Sequence, residues 1–278
     1  MPGTHVARLR LLTIAGSDSG GGAGIQADLK TFAALGAYGM SALTAVTAQN
    51  TTGVTGVWNL PPEAVTAQIR AVAEDIGVDA IKVGMLSTSD LVRAVARALA
   101  TWASGVPVVV DPVMRAKGGH ALLADDAAET LIHELLPLAW VLTPNLPEAE
   151  ALVGGAIVDE AGQFAAGQRI LALGPTWVLV KGGHGAGPEI VDRLVGPDPR
   201  DYRHARIDTP HTHGTGCTLS SAIAVGLARG LAVPEAVDLA ERYVGGAIAA
   251  APGLGHGHGP LDHLWMARMA DPRAGVTP

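Results

Sequence analysis

Short runs of β-branched and other apolar residues alternate along this chain with longer helical patterns, and this alternation limits the folds that the chain can adopt. Several runs are apolar almost throughout, as in 106–110 and 177–180, which is typical of strands covered on both faces. Such alternation favours an α/β fold with a doubly wound, mostly parallel central sheet, helices on both faces and right-handed crossovers. The predicted strands are Leu11–Ala15, Ser41–Ala48, Ala80–Val83, Val108–Asp111, Trp140–Thr143 and Trp177–Lys181.

Helical patterns lie between these strands. Pro61-Pro62-Glu63 and Pro234-Glu235 are typical helix starts, with proline in the first turn and an acid behind it. The segment 183–202 contains a short run, Ile190–Val195, and a turn-rich stretch, which together predict an edge hairpin. Without a repeat or linker, we expect one domain over residues 1–278, an ordered core of about 9–268 and a frayed tail after Asp271. The other predicted helices are Ser87–Ala103, Asp125–Leu136 and Ala161–Leu173.

Charge and composition exclude several classes of protein. The 278 residues carry a net charge of −7, and no basic cluster approaches the footprint of a nucleic-acid-binding protein. No apolar run reaches the roughly 20 residues of a membrane helix, and the N-terminus lacks the apolar core of a signal peptide. The single cysteine rules out an intrachain disulfide and a four-cysteine metal site. We therefore expect a cytoplasmic protein that binds neither nucleic acid nor membrane.

The run His213-Gly214-Thr215-Gly216-Cys217 leads directly into an apolar helical pattern. Its two glycines let successive backbone N–H groups turn toward one point. The N-terminus of the helix that follows carries partial positive charge and free amides. The pattern is typical of an anion-binding site, although an ordinary glycine-rich loop before a helix would have the same local sequence.

Cys217 lies in the first turn of that predicted helix. We expect the helix terminus to lower the pKa of its thiol. The thiolate would then help to deprotonate a substrate hydroxyl that is held in line with a γ-phosphate. Phosphoryl transfer depends mainly on positioning and charge stabilisation, so the contribution of such a base is modest. The alternative for a lone cysteine is a small buried apolar residue.

Polar residues follow three of the predicted strands. Lys181 follows one of the most apolar strands, at the end where open α/β sheets bind ligands, and would suit the phosphates of ATP. Asn145 and Glu148 follow another strand and are candidates to face a hydrated Mg²⁺, which takes few carboxylates. A helix N-cap with an acidic first turn has the same pattern. Asp111 is a second candidate near metal or phosphates, and the P-loop and protein-kinase motifs are absent from the sequence.

A glycine-rich loop from Gly16 to Gly24 follows the first strand and lets backbone approach a small ligand. Its spacing does not meet the Gly-x-Gly-x-x-Gly fingerprint of dinucleotide-binding proteins. Gln49 ends the second strand, and its amide offers a donor and an acceptor that match the edge of an aminopyrimidine. A turn-stabilising amide is the alternative role for Gln49.

Taken together, these motifs resemble those of the bacterial hydroxymethylpyrimidine/phosphomethylpyrimidine kinases of thiamine biosynthesis, within the ribokinase-like superfamily. The motifs occur in the order of that family and cover roughly residues 9–265. Each motif is unspecific alone, whereas the combination is specific. The matching stretches are Leu12–Asp18, Gly21–Thr31, Leu35–Gly39, Ala48–Thr51, Lys82–Leu86, Asp111–Met114, Thr143–Ala149, Lys181–His184 and His213–Leu219.

The resemblance implies an ATP- and Mg²⁺-dependent phosphotransferase that forms homodimers. ATP would phosphorylate the hydroxymethyl group of 4-amino-5-hydroxymethyl-2-methylpyrimidine, and a second ATP would convert the monophosphate to the diphosphate. The anion hole, with the catalytic residues, would be Gly214, Thr215, Gly216 and Cys217. Pyrimidine contacts would come from Gln49, Ala23, Asp28, Met85 and Val113, nucleotide contacts from Lys181, Asn145 and Thr215, and metal contacts from Asp111 and Glu148.

Two departures from the family pattern are visible. Ser19 stands where the family often has proline, which removes no functional group. The segment 115–120 is only loosely similar to the family, and we expect it to form a mobile flap.

Three other functions remain open at this level. A pyridoxal or pyridoxine kinase has a similar sequence, although many dedicated kinases of that type carry Asp where Cys217 stands. A pyrimidine-binding sensor would have kept the pocket and lost transfer. A metal enzyme would have to use histidines such as the pairs His211/His213 and His256/His258 with His263, for which surface loop positions are the simpler interpretation.

Overall fold

The computed structural model describes residues 8–115, 119–124, 126–185 and 187–270, and within these ranges nine strands form one sheet. The order across the sheet is 3-2-1-4-5-6-7-8-9 in chain numbering. The predicted tail from Asp271, and the centre of the predicted flap at 116–118, lie outside the described residues. The strands are β1 (Arg10–Asp18), β2 (Tyr38–Asn50), β3 (Gly53–Asn59), β4 (Ala80–Val83), β5 (Val108–Val110), β6 (Val141–Leu142), β7 (Trp177–Val180), β8 (Glu189–Val195) and β9 (Arg200–Ala205).

The pairing confirms the predicted mostly parallel sheet. Strands β1, β2, β4, β5, β6 and β7 run parallel to one another, and β8 and β9 form the predicted antiparallel hairpin at one edge. The sequence analysis missed β3, which pairs antiparallel with β2 at the other edge. Its two glycines and half-exposed residues hide the alternation that identifies a strand.

Helices cover both faces of the sheet, and no helix in the described part of the chain is long and apolar enough to cross a membrane. The predicted Asp125–Leu136 helix is a composite, because Ala127–Thr130 is α-helical, Leu131–Leu135 forms a π-helical turn and Leu136–Leu138 a 3-10 turn. The α-helices are α1 (Gly24–Ala34), α2 (Pro62–Asp75), α3 (Ser89–Trp102), α4 (Ala127–Thr130), α5 (Leu146–Val153), α6 (Glu160–Leu171), α7 (Thr215–Ala228), α8 (Val233–Ala249) and α9 (Trp265–Ala270).

Successive side chains along each central strand point to opposite faces of the sheet and pack into two separate hydrophobic cores. In β1, Leu12 and Ile14 pack with the core under α2, α3, α5 and α6, whereas Leu11 packs with α1, α7 and α8. Val109 likewise enters the second core, while Val108 and Val110 enter the first. Because side chains alternate across a strand, a continuous apolar run supplies both cores at once.

The connections at the carboxyl ends of the parallel strands position the site. The glycine-rich loop follows β1, Gln49 ends β2, Met85 follows β4, Asp111 follows β5 and Lys181 follows β7. Because parallel strands end at the same edge, side chains from distant parts of the chain meet there.

Candidate active site

One cavity of about 1270 Å³ opens at this edge of the sheet. All of the predicted site residues except Asp28 line it. The structure therefore brings the predicted pyrimidine end and the predicted phosphate end into a single space. The predicted residues that line the cavity are Ala23, Gln49, Met85, Asp111, Val113, Asn145, Glu148, Lys181, Gly214, Thr215, Gly216 and Cys217.

The N-terminus of α7 forms the phosphate end of the cavity. Gly214 is the N-cap residue with φ 85°, and no side chain among the described residues caps this helix. A Cβ on Gly214 would lie 1.8 Å from the carbonyl oxygen of Gly22, so only glycine permits this approach of the two loops. The N–H groups of the first turn, together with the helix dipole, suit an anion.

An ammonium group lies beside that helix terminus. The Nζ of Lys181 donates to Oδ1 of Asp111 at 2.9 Å and lies 3.1 Å from the position that a Cβ on Gly216 would take. Burial opposes the charge of Lys181, but Asp111 and Glu148 outweigh it and hold the pKa of the ammonium above its ordinary value. The cation thus stays charged at the place where an anion would sit.

Glu148 is both a helix cap and a cavity residue. The backbone N–H of Asn145 donates to its Oε2 at 2.9 Å, and the N–H of Glu148 donates to the Oδ1 of Asn145, which completes a capping box. Burial raises the pKa of Glu148 to about 7, Lys181 lowers it, and Asp111 raises it further. Two buried carboxylates whose charges disfavour one another would be stabilised by a divalent cation, so Asp111 and Glu148 are residues that could hold Mg²⁺.

The expected low pKa of the Cys217 thiol is wrong for the protein without ligands. Burial raises the pKa of the thiol to about 11. Lys82 lowers it, Asp28 and Asp111 raise it, and the backbone N–H of Gly24 lowers it slightly. Desolvation therefore outweighs the contributions of Lys82 and Gly24, which favour the thiolate, and the protonated thiol is the favoured form.

A hydrogen-bonded group that the sequence analysis missed surrounds Gln49. Thr47 Oγ1 donates to Gln49 Oε1 at 3.2 Å, and Gln49 Nε2 lies 3.4 Å from Nε2 of His213. The same His213 nitrogen is 2.8 Å from Oδ2 of Asp18. His213, Ala23 and Gly20 donate to Asp18, and these bonds hold its pKa below the ordinary value although burial alone would raise it. The position of His213 directly before Gly214 was the available signal.

Two of the predicted surface histidines lie inside the protein. His213 is 7% exposed and His263 is 4% exposed, whereas His256 and His258 are exposed as predicted. The interpretation failed because glycine-rich loops usually lie at the surface, but here they pack against one another. A different histidine, His204, has donor atoms within 4.8 Å of those of Asp192 and Glu241, in an arrangement that could hold a metal ion.

The predicted substrate contact of Asp28 is contradicted by its burial. Its side chain is 0% exposed and does not line the cavity. Its carboxylate instead accepts hydrogen bonds from Thr13, Lys82 and Ser221 beneath the site. A motif position alone could not show whether the side chain pointed to the cavity or to the core.

Comparison with known proteins identifies the family. The family model described as phosphomethylpyrimidine kinase matches residues 18–262, which is most of the chain. The chain belongs to the phosphomethylpyrimidine kinase family. The matched range includes the glycine-rich loop, Gln49, Lys181 and the N-terminus of α7.

Curated members of the kinase family are similar to the chain over nearly its whole length. A hydroxymethylpyrimidine/phosphomethylpyrimidine kinase from Streptomyces coelicolor is 57% identical over 92% of this chain and 94% of its own. The Bacillus subtilis protein with the same description is 45% identical over 93% and 96%. A thiamine biosynthesis bifunctional protein from Geobacter sulfurreducens is 50% identical over 92% of this chain and 52% of its own.

Solved structures show the same fold. A phosphomethylpyrimidine kinase from Clostridium difficile is 47% identical, with a TM-score of 0.77, over 87% of this chain and 100% of its own. A pyridoxal kinase from B. subtilis in complex with ADP is 38% identical, with a TM-score of 0.86, over 94% and 99%. A pyridoxal kinase from Staphylococcus aureus with AMP-PCP and pyridoxal is 35% identical, with a TM-score of 0.85, over 95% and 96%.

Proposed function

We propose that this kinase transfers phosphate from ATP to the hydroxymethyl group of 4-amino-5-hydroxymethyl-2-methylpyrimidine, and then converts the monophosphate to the diphosphate. One observation carries the proposal: a single cavity joins the Gln49 amide to the N-terminus of α7 and Lys181. The first group matches an aminopyrimidine edge, and the second matches a triphosphate. The curated relatives described as kinases of this substrate support the same assignment.

At the phosphate end, the chain positions the reacting groups. The N–H groups of the first turn of α7 would receive the oxygens of the γ-phosphoryl group, and Lys181 would balance their charge. The hydroxymethyl oxygen forms a bond to γ-phosphorus, the bond from γ-phosphorus to the β–γ bridging oxygen breaks, and ADP leaves. Helix amides held in place before the reaction need no reorganisation, so they stabilise the transition state more than water would.

The hydroxyl proton must leave in the same step. Cys217 lines the cavity beside the anion site and is the candidate acceptor. Because burial raises the pKa of this thiol to about 11, the sulfur can accept the proton only as the thiolate, after the thiol has first given its own proton to solvent in the substrate complex. Positioning is therefore the larger contribution, and the base adds a further factor that is lost when the thiol is replaced.

Asp111 and Glu148 are the proposed holders of Mg²⁺. Asp111 is 2% and Glu148 7% exposed, and Lys181 compensates their charge only in part. When bound, Mg²⁺ would neutralise negative charge on the phosphates of ATP. Asn145 keeps Glu148 in place through the capping box.

Product analysis tests the assignment. The enzyme is incubated with the hydroxymethylpyrimidine, ATP and Mg²⁺, and anion exchange separates the mono- from the diphosphate. We expect both products in sequence, and we expect Cys217→Ser to lose most turnover while keeping nucleotide binding. ATP and pyrimidine binding without any product would instead show a sensor.

Pyridoxal is the second candidate substrate. Three solved structures of two pyridoxal kinases, with ADP, with pyridoxal, and with both pyridoxal and AMP-PCP, have TM-scores of 0.85–0.86 to this chain. We expect the pyrimidine to be phosphorylated faster when both alcohols are offered at equal concentration. Faster phosphorylation of pyridoxal would reverse the order of the two assignments.

The assembly that we propose is a homodimer of one kinase domain. Val46 and Trp58 are cross-strand partners on β2 and β3, and they are 42% and 61% exposed, which leaves an apolar pair at the sheet edge. The single sheet that spans residues 10–205 supports one domain. A requirement for ATP supports a cytoplasmic location. Sedimentation should show a dimer for the wild type and a monomer for Trp58→Arg.

A further inference from the structure

A fully buried ion pair lies beneath the cavity, and neither of its residues is among the groups assigned above to phosphoryl transfer. Lys82 Nζ donates to Asp28 Oδ2 at 2.9 Å, and both side chains are 0% exposed. Two charges removed from water contribute little net stability, because desolvation offsets their attraction. A pair of this kind, placed under an active site, points to a role other than stability.

Asp28 connects the elements that carry the site. Its carboxylate accepts from Thr13 Oγ1 at 2.6 Å, from Lys82 at 2.9 Å and from Ser221 Oγ at 2.7 Å. These donors belong to β1, β4 and α7, while Asp28 itself lies on α1. Ser221 is four residues after Cys217, so Asp28 holds α7 one turn below the thiol.

Lys82 reaches the same space from β4. Lys82 and Cys217 are both among the residues that line the cavity. A Cβ on Gly84 would lie 2.8 Å from the Lys82 Nζ, so the absence of a side chain at Gly84 leaves room for the ammonium near the strand end. Lys82 favours the thiolate form of Cys217, and Asp28 disfavours that form with a smaller effect.

Other charges also act on the thiol, and they must be kept constant in any test. Asp111 follows β5 and opposes the thiolate, while the backbone N–H of Gly24 at the start of α1 favours it. Lys181 after β7 is also within electrostatic range of the sulfur. None of these groups needs to change when Lys82 or Asp28 is substituted.

We propose that Lys82 and Asp28 are positioning residues for Cys217: Asp28 anchors the buried ammonium of Lys82 beneath the cavity and, through Ser221, holds the turns of α7 that carry the thiol. The proposal rests on the proposed phosphoryl transfer only for its effect on turnover. Its effect on the thiol is independent of any substrate.

Alkylation of the thiol tests the pair directly, because Cys217 is the one cysteine of the chain. The rate of reaction with iodoacetamide at pH 8 is measured for wild type, Lys82→Met, Asp28→Asn and the double variant. We expect about tenfold slower alkylation in Lys82→Met and about tenfold faster alkylation in Asp28→Asn, one pKa unit each way. The double variant should lie between Lys82→Met and wild type.

A purely structural role gives a different pattern. Both single variants would loosen the same packing and speed alkylation together, which would overturn the proposal, as would unchanged rates. If the single variants do not fold, the double variant decides: slower alkylation than wild type supports the proposal, and an equal or faster rate overturns it. Asp79→Asn, which breaks the surface pair with Arg10, is the matched control and should leave the rate unchanged.

Turnover separates this proposal from the kinase assignment. Lys82→Met should lower kcat about tenfold or more while the KM for ATP stays within about twofold, because nucleotide contacts are untouched. If wild type shows no phosphoryl transfer to any alcohol, the kinase assignment fails, whereas the opposite alkylation shifts still stand. If wild type is active but kcat in a folded Lys82→Met equals wild type, the proposed effect on turnover is wrong.

Discussion

Substitution of Gly214 by alanine probes the contact between the two glycine-rich loops. The added Cβ would lie 1.8 Å from the Gly22 carbonyl oxygen, so one loop must move by more than about 1 Å to reach an allowed distance. The positive φ of 85° costs alanine about 1 kcal/mol, and forced repacking adds roughly 1–3 kcal/mol. Displacement of the anion site by 1 Å is expected to lower kcat/KM about 100-fold.

Gly230 provides a matched control just past the other end of α7. It has φ 78°, and no atom lies within 4 Å of a Cβ at that position. Gly230→Ala therefore has the same backbone cost without the clash, and it should lose about 1 kcal/mol of unfolding free energy with activity unchanged. Urea denaturation and steady-state kinetics of both variants measure the difference. Equal activity in the two variants would refute the role assigned to the loop contact.

Three further predictions concern single side chains. Lys181→Met should lower kcat/KM for ATP at least about 100-fold, because Asp111 is left without its cation, and nucleotide titration would show weaker binding. Burial lowers the pKa of His263 to about 4 in the folded protein. As the pH falls below about 6.5, His263 therefore binds a proton in the unfolded chain before it does so in the folded protein. The unfolding free energy should then drop by up to about 3 kcal/mol by pH 4, and His263→Gln should flatten that slope in urea titrations. Gln49→Met should raise the KM for the pyrimidine at least about tenfold and leave the KM for ATP unchanged.

Much of the sheet could be predicted because its central strands are buried on both faces. Continuous apolar runs such as Val108–Val110 and Trp177–Val180 are typical of strands covered on both faces. β3 was missed because an edge strand with one solvated face and two glycines lacks that signal. The π-helical turn at Leu131–Leu135 was also missed, since a π-turn and an α-turn differ in hydrogen-bond register, not in apolar pattern.

The site was predictable where a residue's role follows from its place at a strand end. Lys181 and Asp111 meet in one cavity because parallel strands end at one edge. The direction of Asp28, the burial of His213 and the pKa of Cys217 depend on contacts between segments far apart in sequence. Local patterns contain no information on such contacts, and these are the points where the predictions were wrong.

The contact between the two glycine-rich loops also bears on how the protein folds. It joins residues about 190 positions apart, as do the bonds of Asp18 with His213 and of Asp28 with Ser221. Closing so long a loop costs entropy before any contact compensates for it, so contacts of this range form late. During synthesis, the N-terminal half of the cavity is exposed until α7 has left the ribosome. We therefore expect chains that end before Thr215 to expose the apolar surface that α1 and α7 share, and to depend on chaperones.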